Sequence, residues 1–187
     1  GLRKVNMGKL ILIIFMIFSF LNSAKSYQGK SIYDFNFKGI NGEAIQMEEF
    51  KNNVIIVVNV ASRCGYTPQY EDLQFVWEKY KGNNLVILGI PTNNFKQEPG
   101  TNEEIKNFCE TNFGIDFPMT EKIDVIGNNA HPFYKWAKKN YGLGAIPKWN
   151  FHKIVISKDG KIVDTFASFT KPTSKKFINL IEKKIKK

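Results

Sequence analysis

Residues 54–68 read V-I-I-V-V-N-V-A-S-R-C-G-Y-T-P, from Val54 to Pro68. The first seven are nearly all β-branched and apolar without alternation, which predicts a strand covered on both faces of its sheet. Asn59-Val60-Ala61-Ser62-Arg63 then leads to a turn that presents Cys64 and Gly65. Thr67 and Pro68 are expected to open a helix as N-cap and first helical residue, because proline lacks the N–H that would be unpaired there. A strand that hands a lone cysteine to a helix N-terminus favours the thiolate. Unpaired N–H groups and the positive end of the helix dipole both act that way, and Arg63 adds a formal charge next door. The alternative is a small buried thiol. Arg63, Gly65 and Pro68 mark a loop edge rather than a core.

Outward from this stretch the chain alternates. A helix is predicted from Pro68 to about Lys81, with Leu73, Val76, Trp77 and Tyr80 on one face and Gly82 as its stop. Leu85–Pro91 (LVILGIP) reads as a second buried strand, and residues 92–100 as a polar loop. Thr101 and Glu104 form a capping box for a helix that carries Ile105, Phe108, Cys109 and Phe113 on one face. Upstream, Ser31–Met47 reads as a hairpin with a type I′ turn at Asn41-Gly42. Downstream come a short extended stretch over residues 117–125 and a helix after His131-Pro132, with Phe133, Trp136 and Ala137 inward. A second hairpin turns at Lys158-Asp159-Gly160, and a last helix over residues 172–185 buries Phe177, Ile178, Ile181 and Ile185. The expected class is α/β, a thioredoxin-like fold: a central mixed β-sheet with helices on both faces. Its first two buried strands are parallel by a right-handed crossover, and Cys64 sits at a strand's carboxyl end.

The 187 residues suit one domain over residues 27–187, preceded by an export signal over residues 1–26. Arg3, Lys4 and Lys9 form the basic region, Leu10–Leu21 the apolar run, and Ala24-Lys25-Ser26 the site for cleavage before Tyr27. Met7 can serve as the start of translation, and an uncleaved membrane anchor is the alternative. The expected location is the periplasm or another extracytoplasmic compartment. The net charge is +10, and six lysines between Lys175 and Lys187 surround an apolar stripe. A solvated helix face explains them; attraction to an anionic membrane surface is the functional alternative. No nucleic-acid partner is expected.

Cys64 and Cys109 lack zinc spacing, and His131 and His152 belong to no metal motif, so no metal is expected. Cys64-Gly65-Tyr66-Thr67 is not C-x-x-C, which excludes local dithiol exchange. With no neighbouring histidine as base, acyl transfer is the weaker use of a thiolate. Attack on a peroxide needs less: the sulfur becomes sulfenic acid, and donors stabilise the charge on the leaving oxygen. Gln97, Trp149 and Asn150 are the candidate donors. His131 is expected to fix a helix start, and His152 to point off a strand edge.

These residues carry a resemblance. Asn59–Thr67 resembles the signature of the glutathione peroxidase family. So do Gln97-Glu98-Pro99-Gly100, Asn102–Ile105, Phe117-Pro118-Met119, Ala130-His131-Pro132 and Lys148-Trp149-Asn150-Phe151, in the family's order. The resemblance implies a thioredoxin fold, hydroperoxide reduction by a peroxidatic Cys64, and partner roles for Gln97, Trp149 and Asn150. It implies no prosthetic cofactor, a thiol co-substrate (glutathione or a thioredoxin-like donor) and H₂O₂ or organic and lipid hydroperoxides as substrates. Cysteine in place of selenocysteine implies slower chemistry. Thr92 stands where a cysteine is frequent, and the loop before Gln97 is one residue shorter. The assembly insertion of tetrameric members has no counterpart, which implies a monomer. Thioredoxin-dependent relatives carry a resolving cysteine at the position of Glu110, so Cys109 is left with two readings, core thiol or resolver. A thioredoxin-like redox sensor or binding protein is the alternative function.

Overall fold

The computed structural model describes residues 31–187. The expected export signal, its cleavage site and the boundary at residue 27 lie outside the described residues. The elements are β1 (Asn36–Lys38), β2 (Ala44–Gln46), β3 (Val54–Val60), α1 (Gln69–Tyr80), β4 (Leu85–Pro91), α2 (Asn102–Phe113), α3 (Pro132–Tyr141), β5 (Lys153–Ile156), β6 (Ile162–Phe166) and α4 (Lys175–Ile185).

The main sheet has the order β4-β3-β5-β6. β3 and β4 run parallel from Val54 opposite Leu85 to Val60 opposite Pro91, as a right-handed β-α-β crossover requires. β5 returns antiparallel on the other edge of β3, and β6 pairs antiparallel with β5. The sheet is therefore mixed, and β3 lies at its centre. All seven residues of β3 are buried, which explains the β-branched run. Val54, Ile56, Val58 and Val60 share one core cluster with Leu73 and Val76 of α1, Ile105 and Cys109 of α2, and Phe177 and Ile181 of α4. Ile55 and Val57 point to the opposite face and are equally sealed. Each such side chain contributes about 1.5–3 kcal/mol by leaving water.

Gly89 in β4 is a close approach that a larger residue would crowd. A Cβ there would lie 3.0 Å from the Phe117 ring and 3.3 Å from Met119, and Gly89 bridges to Met119 in parallel. The expected extended stretch 117–125 is reduced to that bridge and one between Thr120 and Gly39. The first hairpin forms, but its turn differs from expectation. The Gly42 N–H donates to the Gly39 carbonyl and only Gly42 is left-handed (φ 91°), so Asn41 is not in the positive-φ position a type I′ turn demands. The left-handed residue after α1 is Asn84 (φ 58°) rather than Gly82, and α4 begins at Lys175, three residues later than expected.

Candidate functional site

The site is built on the carboxyl end of β3. Val60 and Ala61 are fully buried, Arg63 and Gly65 are exposed, and Cys64 between them retains 7% exposure. The backbone thus leaves the core within four residues while the sulfur stays largely covered. Thr67 does not cap the helix as expected. Its hydroxyl turns back, donating to the Ala61 carbonyl (2.9 Å) and accepting the Cys64 N–H (3.0 Å). α1 accordingly starts at Gln69 behind Pro68, and a tight turn from Cys64 to Pro68 separates the cysteine from the helix. The donor that meets the sulfur comes from this turn: the Tyr66 N–H points at Cys64 Sγ, 3.4 Å away.

The loop after β4 is fastened beside this turn. The Arg63 N–H donates to the Gln97 carbonyl (3.0 Å), and the buried Glu98 carboxylate accepts from both the N–H and the hydroxyl of Ser62 (2.7 and 2.9 Å). Burial pushes the Glu98 carboxyl up, while the two Ser62 bonds, Lys122 and Arg63 pull the other way. Asn94 holds the start of the loop by accepting the Val125 N–H at 2.7 Å, and Lys122 Nζ holds its end by donating to the Gly100 carbonyl. The Gln97 backbone is thereby held next to the Cys64 turn, and its side chain is directed to Asn150.

The third segment is Trp149-Asn150-Phe151. Asn59 Nδ2 donates to the Trp149 carbonyl (3.0 Å), and the Asn59 carbonyl accepts the Phe151 N–H (2.6 Å). Phe151 adopts φ 61°, an uncommon conformation for an aromatic residue, and is held there by complete burial. That reversal presents Asn150, whose Nδ2 donates to Gln97 Oε1 at 2.9 Å. Asn150 Oδ1 is buried without a partner among the described residues. Trp149 is 40% exposed and lies against Phe95, with ring centroids 5.4 Å apart. Gln97 and Asn150 are thus joined directly and tied to the Cys64 turn, while Trp149 enters through its backbone.

Cys109 lies inside, 1% exposed, and neither cysteine is in a disulfide. Burial pushes its thiol up to about 11, with the Tyr70 hydroxyl as a partial counterweight. The Tyr70 ring packs between Phe151 and Phe113, both with centroids at 5.3 Å. Glu110, the next residue on α2, is exposed. His131 caps α3 by accepting the Phe133 N–H and stacks on Phe37. His152 does not point off an edge. It is buried, and burial with the neighbouring Lys153 and Lys148 charges pulls it down to about 4. Among the described residues no group of three His, Cys, Asp or Glu side chains could hold a metal, and no helix is long and apolar enough to cross a membrane.

A family model for glutathione peroxidase matches residues 32–138. The chain is 45% identical over 149 residues to glutathione peroxidase-like peroxiredoxin 2 of Saccharomyces cerevisiae, covering 77% of this chain and 91% of that protein. It is 46% identical over 145 residues to a glutathione peroxidase of Lactococcus lactis, covering 76% and 92%. A crystal structure described as Trgpx in apo form superimposes with a TM-score of 0.67 at 34% identity, covering 86% of this chain and 98% of that one. The chain belongs to the glutathione peroxidase family, with its thioredoxin-like fold. It is a thiol peroxidase that reduces hydroperoxides.

Three residues that build this site were not singled out from the sequence. Asn59 carried a signal, as the one polar residue in an apolar run. Ser62 and Glu98 stood within the resemblance motifs, but their bond to each other is made only by the folded chain.

Proposed function

We propose that Cys64 is the peroxidatic nucleophile and that Gln97, Trp149 and Asn150 supply the donors around it. The thiolate attacks one peroxide oxygen, the O–O bond breaks, and the alkoxide leaves with a proton as alcohol while sulfur becomes sulfenic acid. A thiol then condenses with the sulfenic acid, releasing water, and a second thiol frees Cys64 from the mixed disulfide. The observation that carries this reading is the Tyr66 N–H on Cys64 Sγ, with the Gln97 carbonyl fastened to the Arg63 N–H next to that cysteine and the Asn150 amide bonded to the Gln97 amide. Deep burial and a high thiol pKa favour Cys109 as a core thiol, so the reductant is an external thiol acting directly on Cys64.

The apolar run Leu10–Leu21 behind a basic segment supports export, and the missing assembly insertion supports a monomer. The test is mass spectrometry of residues 27–187 after one equivalent of hydroperoxide with a sulfenic-acid trap present. A trap adduct on Cys64 with Cys109 free is expected. A loss of two hydrogens without adduct makes Cys109 a resolver instead. A Cys64→Ser protein that still turned over hydroperoxide with a thiol would sink the assignment.

A further inference from the structure

Lys153 opens β5, three residues after Asn150, and its side chain is fully buried. An ammonium in a protein interior is costly unless paired. Among the described residues no carboxylate touches it. Three neutral oxygens do: Gln69 Oε1 (2.5 Å), the Thr170 carbonyl (2.7 Å) and the Ser168 carbonyl (3.5 Å). Gln69 completes the cage by donating from Nε2 to the same Ser168 carbonyl at 2.6 Å. Gln69 is also the first residue of α1, and its own N–H donates to the Tyr66 carbonyl at 2.9 Å. Tyr66 in turn supplies the N–H that meets Cys64 Sγ. A continuous path therefore runs from the buried ammonium, through one side chain and one turn residue, to the sulfur.

We infer that Lys153 is a positioning residue for the peroxidatic turn: through Gln69 it seats Tyr66, whose N–H faces Cys64. The inference rests on the reading of Cys64 as nucleophile. Hydrogen bonds from an ionised donor are about twice as strong as neutral ones, so a charged Lys153 grips Gln69 more firmly than a neutral amine can. Burial pulls this lysine down to about 7, and Asp72 of α1 is the charge that opposes the shift. The surroundings contain little else that titrates. Asp72 is occupied by the Thr173 hydroxyl at 2.8 Å, His152 precedes Lys153 and stays neutral, and Lys171 follows the Ser168–Thr170 loop. Val58 of β3 and Phe166 of β6, its register partners, are apolar. The grip on the turn therefore weakens as pH rises through neutrality.

The experiment is rapid mixing with H₂O₂ from about pH 6 to about pH 9, scoring the rate of Cys64 sulfenic-acid formation per thiolate present, read from thiolate absorbance. The wild-type rate per thiolate is expected to fall near pH 7. In Lys153→Met it should be independent of pH and roughly tenfold lower, as expected for a slightly misplaced donor. Gln69→Glu places a carboxylate beside the ammonium and should move the fall upward by about one pH unit or more. A wild-type rate per thiolate that is flat with pH, with Gln69→Glu superimposed on it, overturns the inference. If Lys153→Met does not fold, the comparison of Gln69→Glu with wild type decides alone. Cys64→Ser run alongside separates the two levels: residual turnover there defeats the nucleophile assignment, whereas its inactivity with unshifted profiles defeats only the role of Lys153.

Discussion

Asn150 and Gln97 stand 53 residues apart in the chain and share a side-chain hydrogen bond of 2.9 Å, the first fully buried and the second half-buried. Neither amide is held by its own secondary structure. Each is placed by hydrogen bonds near the β3 end: Gln97 by the backbone of Arg63, and Asn150 by the Asn59 side-chain amide on Trp149 and the Asn59 carbonyl on Phe151.

Asn150→Ala removes one end of that pair. Loss of one charge-stabilising donor lowers kcat by about 10²–10³. Loss of the hydrogen bond costs about 1 kcal/mol of stability. Stopped-flow oxidation by H₂O₂ and urea unfolding measure the two separately. An oxidation rate within twofold of wild type would reduce Asn150 to a loop fastener.

Thr67→Val keeps the shape of the side chain but deletes its hydroxyl. The Cys64 N–H and the Ala61 carbonyl then lose their shared partner in a buried turn. The expected cost is about 1–3 kcal/mol in urea unfolding, with most of it recovered in Thr67→Ser. Equal stability of the valine and serine variants would contradict the bridging role.

Iodoacetamide at neutral pH is expected to label Cys64 in the folded protein and leave Cys109 unmodified until denaturant is added. The Cys109 thiol is 1% exposed and pushed up to about 11, so both access and thiolate are lacking. Peptide mapping after short labelling tests this, and modification of Cys109 at the rate of a free thiol would show that α2 opens in the native protein.

His152 makes stability depend on acid. Its folded pKa of about 4 lies below the ordinary 6.5, so the unfolded chain binds the proton first as pH falls. The contribution is complete above pH 6.5 and is lost on descent to about pH 4, amounting to about 3 kcal/mol. His152→Leu should flatten that part of the urea midpoint against pH curve; an unchanged slope would assign the acid sensitivity to other groups.

The bounds of β3 and β4 were legible residue for residue, because a strand sealed on both faces imposes an uninterrupted apolar run on its sequence. The capping box of α2 and the His131-Pro132 helix start were equally plain, since caps are local in the chain. Thr67 misled because a threonine before proline fits an N-cap pattern, whereas the folded turn offers its hydroxyl better partners behind it. His152 misled for a different reason. A polar residue at the head of a hairpin strand reads as solvent-facing, whereas the fold buries it with Gly144 of the Gly142–Ala145 turn as a backbone partner. Gln97 and Asn150 were visible as donors, but their union depends on Phe151 turning left-handed, which no propensity favours.

The central position of β3 has a consequence for how the protein fails. Flanked by β4 and β5 and sealed on both faces, its amides should be among the slowest to exchange with deuterium, released only by global opening. Cys64 follows that strand by four residues. The Cys64 turn is thus moored to the strand expected to come apart last, so peroxide reactivity and cooperative structure should disappear at one denaturant concentration.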